Sequence, residues 1–244
     1  MSEPPLSPNA WLRWELIRRE LDTEHPRSVL ELGMGQGAVA SRLERGRRYV
    51  GVEPDESSQA VARRRLTSGA TILADASELA DGETFDVVCA FEVLEHIEDH
   101  EGVLRQWAQR VAPSGRLLLS VPAHQHRYRS ADELAGHFRR YSRADLERVL
   151  RQAGLEPVRI DAVGFPLALL LERARNVLAA RELAKRAGES IESRTAGSGR
   201  LFQPPEWAGW ITRLGTAPFR WLQLPFRRSS WTSGWVVVAR RAPA

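Results

Sequence analysis

Short runs of apolar residues alternate with segments of helical spacing along the first two thirds of the chain. Continuous runs rich in Val, Leu and Ile are typical of strands that are buried on both faces of a parallel sheet. The segments between them repeat apolar residues every three or four positions, as amphipathic helices do. This alternation predicts an α/β domain with helices on both faces of the sheet. The expected strands lie at 29–32, 48–53, 71–76, 85–91, 116–121, 157–163 and 235–240.

A long interval separates the last two expected strands, and it fits no strand–helix unit. Residues 167–183 have Leu-rich helical spacing, and residues 188–200 have a polar, glycine-containing composition that predicts mobility. Residues 201–231 concentrate Trp and Phe among prolines and arginines. We therefore predict an insert before the final strand. The expected divisions are a helical cap at 1–27, the sheet domain at 28–163, the insert at 164–232, and the last strand with the tail at 233–244.

The length and composition limit the number of domains and the classes of protein to which this chain can belong. With 244 residues, 43% of them hydrophobic, the chain can form one substantial core plus an insert, but not two full domains. The net charge is only +4 and its acidic and basic residues are interleaved, so the pI near 9.9 does not by itself indicate nucleic-acid binding. Cys89 is the single cysteine, which agrees with a reducing cytosol. Charged residues near the N-terminus argue against a signal peptide, so we expect a cytoplasmic protein.

The first expected strand runs into three glycines at alternate positions, Gly33, Gly35 and Gly37. Glycine admits backbone angles that are closed to other residues and lets the backbone approach a ligand, so the turn predicts a cofactor site. Residues 33–38 satisfy the G-x-G-x-x-A pattern of dinucleotide-binding proteins. Residues 31–37 also read E-x-G-x-G-x-G, which resembles the first motif of S-adenosylmethionine-dependent methyltransferases. Glu31 favours the second interpretation, because a carboxylate there repels a pyrophosphate and attracts the ammonium group of a methionine moiety.

Acidic residues follow the next three expected strands. Glu53 ends the second strand, at a distance from the glycines where an acid can accept hydrogen bonds from both ribose hydroxyls. Asp75 ends the third strand, and residues 92–96, Glu-Val-Leu-Glu-His, follow the fourth. In this order and at these intervals, the motifs are similar to those of the class I S-adenosylmethionine-dependent methyltransferases across residues 28–163.

This resemblance implies a fold, a cofactor and a set of binding residues. The fold is a Rossmann-like sheet of seven strands, with the last strand antiparallel and helices on both faces. The cofactor is S-adenosylmethionine. The resemblance places Glu31, Gly33, Gly35 and Gly37 at its methionine end, Glu53 at the ribose, Asp75 with the Ala76 backbone at the adenine, and Ala90 and Phe91 beside the sulfonium.

Two histidines are candidate general bases for removing a proton from the methyl acceptor. His96 and His137 carry imidazoles that titrate near neutral pH, although a structural role is an equal alternative for each. In quinone-biosynthesis O-methyltransferases and small-RNA 2′-O-methyltransferases, a Glu-x-x-Glu-His run with a distant His or acid can bind a divalent cation. The matching residues here are Glu92, Glu95, His96 and His137.

The resemblance implies methyl transfer, which we expect at an oxygen of a small-molecule, glycan or lipid-linked acceptor. The run 136–142 is similar to one found in bacterial methyltransferases encoded with glycan and lipid-linked sugar enzymes. Arginines at 127–143 could clamp an anionic acceptor or simply form a solvated face. An NAD-dependent oxidoreductase and a non-catalytic S-adenosylmethionine-binding protein are the alternatives. Nucleic acid is not expected as a substrate, since no Asn/Asp-Pro-Pro-Tyr run follows the fourth strand.

The insert at 164–232 is expected to cover the acceptor pocket, because the segment before the last strand of this fold lies beside the substrate entrance. Its mixture of aromatic residues and arginine also allows peripheral contact with anionic lipid at the inner membrane face. A packed lid or a dimer surface is the more usual role of such aromatic clusters. The sequence leaves the oligomeric state open.

Overall fold

The computed structural model describes residues 3–185 and 205–242, which form a seven-stranded sheet flanked by helices. The strands are β1 (Ser28–Leu32), β2 (Arg48–Val52), β3 (Thr71–Leu73), β4 (Phe85–Phe91), β5 (Val111–Pro122), β6 (Leu155–Val163) and β7 (Gly234–Arg241). The helices are α1 (Pro8–Glu24), α2 (Ala40–Leu43), α3 (Glu56–Arg65), α4 (His100–Gln109), α5 (Ser130–Ala135), α6 (Arg143–Gln152), α7 (Leu167–Lys185) and α8 (Gly209–Leu222).

The strand order across the sheet is β3-β2-β1-β4-β5-β7-β6. Strands β1 to β5 pair in parallel, whereas β7 lies between β5 and β6 and is antiparallel to both. The expected Rossmann-like α/β fold with an antiparallel last strand is therefore confirmed. Because β1 and β4 are adjacent but distant in sequence, the connections leave the sheet in opposite directions on either side of this pair, which is where open α/β sheets bind ligands.

Alternate residues of each central strand pack on opposite faces of the sheet. Leu30 of β1 belongs to a core that includes Trp107 of α4 and Leu146 of α6. Val29 belongs to the opposite core with Leu12 and Leu16 of α1. All six side chains are at most 5% exposed, so the sheet is covered on both faces, as the continuous apolar runs predict.

Two elements differ in length from what the sequence indicates. The strand expected at 116–121 begins already at Val111, because the pairing with β4 skips from Phe85–Val111 to Val87–Arg116 and the strand bulges between these pairs. A Cβ on Gly115 would lie 2.8 Å from the Asp86 carbonyl oxygen, so the bulge requires glycine there. Helix α2 covers only Ala40–Leu43, since the turn around the glycines extends further than the apolar spacing indicates.

Side chains cap three of the helices at their starts. Ser7 accepts from the Ala10 N–H at the start of α1, and Asp55 accepts from the Ser58 N–H at the start of α3. Ser142 and Asp145 form a capping box at the start of α6. These caps satisfy backbone donors that no residue within the helix can reach.

The insert contributes two long helices. Helix α7 matches the helix expected at 167–183, whereas residues 188–200 lie outside the described residues. Helix α8 was not predicted, because Gly209, Gly215 and Pro218 disguise its helical spacing. Among the described residues, no helix is both long and apolar enough to cross a bilayer.

Gln223 joins three distant segments at the end of α8. Its side chain is 1% exposed, its Nε2 donates to the Leu12 carbonyl at 3.0 Å, and its Oε1 accepts from the Gly164 N–H at 3.1 Å. The amide therefore satisfies buried backbone groups of α1 and of the loop after β6. A side chain with both a donor and an acceptor is needed there, which an apolar residue cannot provide.

We predict that Gln223→Leu lowers the free energy of unfolding by about 2 to 4 kcal/mol, because it leaves two buried backbone groups without partners. Urea denaturation measures this change. Gln109→Leu, at an exposed position of α4, is the matched control and should change the stability by less than about 0.5 kcal/mol. Equal effects of the two substitutions would contradict the role assigned to Gln223.

Candidate functional site

The polar residues expected at the site lie at the carboxyl ends of four adjacent strands. Gly33 follows β1, Glu53 follows β2, Asp75 comes after β3 and Glu92 follows β4, and these strands are consecutive in the order β3-β2-β1-β4. Neighbouring strands are about 4.8 Å apart, so the four residues form one continuous edge. The sheet topology thus brings together residues that are up to 59 positions apart in sequence.

The glycine turn has the backbone conformation that its sequence indicates. Gly33, Gly35 and Gly37 have φ angles of +71°, +54° and +77°, which side chains with a Cβ rarely adopt. A Cβ on Gly33 would lie 2.5 Å from a methyl group of Val93, whereas one on Gly35 would meet no heavy atom within 4 Å. Gly33 is therefore required for packing, and the space beside Gly35 is open to a ligand.

Glu53 lies against this turn. Its Oε2 accepts from the Gly35 N–H at 2.8 Å, and its Oε1 accepts from the Asp55 N–H at 3.0 Å. Because the residue is only 9% exposed, these two donors hold the carboxylate in one position. The middle glycine of the turn and the acid after β2 are thus joined at the expected ribose position.

The other expected cofactor residues occupy the neighbouring positions. Asp75 is exposed, and its Oδ1 accepts from the Ser77 N–H at 2.8 Å as it starts the short turn Ala76–Glu78. Hydrogen bonds from Ser77 lower the pKa of Asp75, so the carboxylate is ionised at neutral pH. Ala90 is buried in the core near the end of β4, and Phe91 is partly buried beside it.

Glu31 differs from the other acids because it is buried within the sheet. The residue is 3% exposed, and its Oε2 accepts from the Tyr49 hydroxyl at 2.6 Å. Burial, partly offset by the Tyr49 hydrogen bond, raises the pKa of Glu31 to about 8, and the carboxylate of Glu53 contributes to the rise. The free protein therefore carries a protonated Glu31 at neutral pH, in contrast to the carboxylate assumed from the sequence.

Glu92 has an unusual backbone conformation at the end of β4. Its φ is +58°, and its carboxylate accepts from the Ser120 hydroxyl at 3.0 Å and pairs with Arg13 of α1 at 3.3 Å. Burial raises the pKa of Glu92, but Arg13 and His137 more than offset this effect and the pKa lies below its ordinary value. Non-glycine residues with positive φ are concentrated at functional sites, where the surrounding structure holds them.

Three side chains converge beyond the end of β4. One ligand atom from each of Glu95, His96 and His137 lies within 4.8 Å of the others, and the two imidazoles meet edge to face with centroids 4.6 Å apart. Glu95 is fully buried, yet neither of its carboxylate oxygens has a hydrogen-bond partner among the described residues. Nδ1 of His96 also lacks one there. Buried polar atoms without partners are rare, so this group has the properties of a ligand site.

Burial determines the charge of this group. Desolvation and the neighbouring Glu92 carboxylate raise the pKa of Glu95 well above its ordinary value. Desolvation and His137 lower the pKa of His96 to about 4, with Glu92 and the backbone of Gly136 opposing them. His96 is therefore a neutral imidazole at physiological pH, and a bound cation would favour the ionised form of Glu95.

His137 is oriented by a carboxylate that sequence reasoning did not single out. Asp132 Oδ1 lies 2.9 Å from Nδ1 of His137 and also accepts from Nε of Arg140 at 2.8 Å. Burial raises the pKa of Asp132, but the hydrogen bonds from His137 and Arg140 more than offset it and the pKa is about 2. Since an ionised carboxylate cannot donate, Nδ1–H of His137 is the donor in this hydrogen bond.

The same network reaches the insert. Arg140 Nη1 donates to Glu172 of α7 at 2.6 Å, and Arg127 also donates to that carboxylate. Glu172 is 5% exposed, so α7 is attached to the site by a buried ion pair. Sequence reasoning missed this contact because it joins residues 32 positions apart whose spacing follows no local pattern.

A pocket that opens to solvent lies beside these groups, between α1, α7 and the ends of β5 to β7. Polar and charged residues dominate one side of it, while Leu12, Val163 and Ala168 supply apolar surface. The polar lining residues are Asn9, Arg13, Glu92, Asp132, His137, Arg140, Glu172, Arg175 and Ser233. His137 therefore borders this pocket, whereas His96 lies behind it.

Several of the arginines at 127–143 contact the fold itself, whereas Arg129 is exposed and Arg140 also lines the pocket, so the anion clamp stays a prediction. Arg140 is buried in the ion-pair network, Arg139 donates to the carbonyls of Ile97 and Glu98, and Arg143 donates to the Ile160 carbonyl. Acceptors of the fold itself thus occupy these guanidinium groups. They position the segment between β5 and α6, because each joins it to another element.

Comparison with known proteins shows the family to which the chain belongs. The sequence profile of the family described as "Methyltransferase domain" matches residues 11–160, which is more than half of the chain. The chain belongs to this family. It is a class I S-adenosylmethionine-dependent methyltransferase, and the dinucleotide interpretation of the glycine turn is thereby set aside.

Curated relatives align with less than half of this chain. A ubiquinone biosynthesis O-methyltransferase of Azorhizobium caulinodans is 37% identical over 99 residues, which are 38% of this chain and 39% of the relative. One from Idiomarina loihiensis is 32% identical over 117 residues, which are 45% and 48% of the two chains. The match thus spans less than half the length of these relatives.

Solved structures share the fold at low sequence identity. A methyltransferase from Thiobacillus denitrificans in complex with S-adenosylhomocysteine has a TM-score of 0.55 and 17% identity, covering 95% of this chain and 91% of its own. The 1,6-didemethyltoxoflavin N1-methyltransferase of Burkholderia thailandensis, also with bound S-adenosylhomocysteine, has a TM-score of 0.53 and 24% identity, covering 66% and 74%.

The raised pKa of Glu31 predicts a pH-dependent difference in stability. Between pH 4.5 and pH 8 the unfolded chain loses this proton and the folded protein retains it, so folding stability falls as the pH rises. Glu31→Gln cannot titrate, and its amide oxygen can still accept from Tyr49. Relative to this variant, the parent should lose up to about 1.4 kcal/mol of unfolding free energy per pH unit in that window.

Urea denaturation at several pH values measures the unfolding free energy of both proteins. Subtracting the two values cancels the contributions of all other titrating groups. Above pH 8 the two curves should run parallel. A difference that does not change across the window would show that the Glu31 pKa is not raised.

Proposed function

We propose that the enzyme transfers the methyl group of S-adenosylmethionine to a hydroxyl oxygen of a small-molecule, glycan or lipid-linked acceptor. The observation that carries this proposal is the group Glu95, His96 and His137. Both carboxylate oxygens of Glu95 and Nδ1 of His96 are buried without a hydrogen-bond partner among the described residues, and His137 lines the pocket. Groups of this kind lower the pKa of a hydroxyl or accept its proton. The match to relatives named as ubiquinone biosynthesis O-methyltransferases supports transfer to oxygen.

The cofactor would lie across the glycine turn. In this proposal the open space beside Gly35 admits the cofactor, and the fixed carboxylate of Glu53 accepts hydrogen bonds from the ribose hydroxyls. Asp75 and the Ala76 backbone hold the adenine, because their exposed turn follows the next strand. Ala90 and Phe91 lie near the sulfonium at the end of β4. Glu31 acts at the methionine end, where an ammonium group would favour its ionised form.

His137 is the stronger candidate for the catalytic base. It borders the pocket, and Asp132 holds its Nδ1–H so that Nε2 is available to accept the proton of an acceptor hydroxyl. His96 lies behind it. The sulfonium already activates the methyl group, so the protein's main task is to hold the acceptor oxygen in line with it. The pocket between α1 and α7 would provide that position.

A divalent cation fits the same group as an alternative, in which Nε2 of His137 would bind the metal instead of accepting a proton. One carboxylate and two imidazoles suit a divalent metal. The metal would also give a partner to the oxygens of Glu95 and to Nδ1 of His96, which have no hydrogen bond among the described residues. A cation there would supply Lewis-acid polarisation of the acceptor hydroxyl. Glu92, the fourth residue matched from the sequence, is not one of these three and instead contacts Ser120 and Arg13.

Substitution of Glu53 tests the cofactor assignment. Glu53→Gln retains an acceptor for the Gly35 N–H but loses the charge that strengthens a ribose hydrogen bond. We expect S-adenosylmethionine to bind about ten- to a hundredfold more weakly, because a hydrogen bond to a charged group contributes about 1.5 to 3 kcal/mol. Titration calorimetry measures the affinity. Glu56→Gln, on the first turn of α3, is the control, and an unchanged affinity in Glu53→Gln would refute the ribose contact.

Direct metal binding tests the cation assignment. We expect the purified protein, after chelation, to bind Mn²⁺ at one site, and Glu95→Gln to weaken that binding at least about tenfold, since it removes the charged ligand. Calorimetry with Mn²⁺ alone gives this result without an acceptor. Glu98→Gln, an exposed acid three residues away, should bind as the parent does. No Mn²⁺ binding by the parent would reject the cation and leave His137 to act as the base.

A further inference from the structure

Helix α8 exposes an apolar face to solvent. Trp210, Leu214 and Trp221 are 64–65% exposed, and Ile211 and Leu222 are 45% and 48% exposed. Their spacing of three, four and seven residues places them on one side of the helix. None of residues 209–222 lines the pocket beside His137, so this face does not cover the acceptor site.

The opposite side of α8 attaches it to the protein. Thr216 is 3% exposed, Gly209 lies against Pro5, and Gln223 at the helix end is bonded to α1 and the loop after β6. The helix is therefore held firmly with its large apolar side chains pointing outward. A surface helix of a globular protein ordinarily has the reverse arrangement, with polar residues outward.

A basic groove that opens to solvent borders this helix. Six arginines line it against three carboxylates, and two of the six, Arg213 and Arg220, belong to α8. The guanidinium carbons of Arg213, Arg220 and Arg42 lie 6.0, 5.0 and 5.2 Å from the centre of the Trp11 ring. Three cations thus surround one aromatic side chain. The other lining arginines are Arg18, Arg45 and Arg47, and the acids are Glu3, Glu15 and Asp22.

The charges of this groove are incompletely neutralised by the described part of the chain. Arg42 and Arg45 pair with Glu3, and Arg18 pairs with Glu15 and Asp22. Within residues 3–185 and 205–242, no ion pair joins a carboxylate to either arginine of α8. The indole N–H of Trp11, in a side chain that is almost completely buried, also lacks an acceptor there. Donors and cations without acceptors indicate an anionic ligand.

We propose that α8 docks this enzyme on an anionic phospholipid membrane, with its apolar face in the lipid interface and a lipid phosphate bound in the groove by Arg213 and Arg220. A helix with outward Trp and Leu and arginines at its border lies in the plane of a membrane surface. Trp is well suited to the headgroup region, where its ring is apolar and its N–H remains polar. This inference goes beyond the transfer reaction, and it does not depend on the acceptor being a lipid.

Charge favours a lipid surface over a second copy of the chain. An isologous dimer would place the same patch on both sides of the interface, with the cationic grooves bordering it in both copies. An anionic surface instead complements them. Free phosphate would satisfy the groove but would leave the adjacent apolar face in water. A phospholipid satisfies both surfaces at once.

Co-sedimentation of the full chain with vesicles tests the proposal. We expect binding to phosphatidylcholine vesicles that contain phosphatidylglycerol, and much weaker binding to phosphatidylcholine alone. Arg213→Gln/Arg220→Gln should lower the partition coefficient about 30-fold, since each arginine near the surface contributes about fivefold. Trp210→Ser/Leu214→Ser, which alters exposed side chains, should lower it at least about tenfold. Arg64→Gln/Arg105→Gln removes the same charge from exposed positions on α3 and α4 and should bind as the parent does.

Retained affinity for S-adenosylmethionine shows that each variant is folded. Equal binding to both vesicle types, or equal loss in the Arg64/Arg105 control, would overturn the groove as the phosphate site. Dimerisation that Trp210→Ser/Leu214→Ser abolishes, in a chain that does not bind vesicles, would assign the surface to a second copy. Inorganic phosphate bound by Arg213 and Arg220 without any vesicle binding would also reject the lipid assignment.

Discussion

The parallel alignment of β1 to β4 is the constraint on which the site depends. Parallel strands end at the same edge of a sheet, so the residues that follow each one become neighbours whatever their separation in sequence. Gly35 and Glu53 are joined by a hydrogen bond because β1 and β2 are paired in register from Ser28–Arg48 to Leu32–Val52. A slip of one residue would turn every alternate side chain to the other face and separate these groups.

Burial gives the acids of the site different properties. Glu31 and Glu95 have raised pKa values because desolvation is not matched by a cationic partner, whereas Arg13 and His137 lower the pKa of Glu92. The pKa of Asp132 is lowered to about 2, because His137 and Arg140 donate to it. Carboxyl groups in one region of the protein therefore differ in protonation state, and only their surroundings cause the difference.

The two helices of the insert face different surroundings. Helix α7 turns a buried carboxylate, Glu172, toward Arg140 and lines the pocket, so it is part of the site. Helix α8 packs across α1 through Gln223 and presents tryptophans to solvent. In our proposals the first defines the acceptor space and the second selects a lipid surface. The expectation that the insert acts as a lid therefore applies to α7, and for that helix it remains a prediction.

Local patterns in the sequence were sufficient for the class and the fold. The glycine turn, the acids after β2 and β3, and the caps at Ser7, Asp55 and Ser142 depend on residues within a few positions of one another. Apolar runs likewise indicate strands because burial on both faces leaves no polar positions. These features predicted the seven strands, the antiparallel last strand and the methyltransferase class, through a resemblance that the family match confirms.

Only the tertiary structure decided which charges are paired, buried or exposed. The Tyr49 bond to Glu31, the Asp132 bond to His137 and the Arg140 bond to Glu172 each join residues that no sequence period relates. Their pKa values follow from desolvation and distance, which depend on packing. Helix α8 was missed for the same reason, since its glycines and proline lower local helical propensity while its contacts with α1 stabilise it. Sequence periodicity records local backbone preference, whereas charge state and exposure depend on contacts between distant segments.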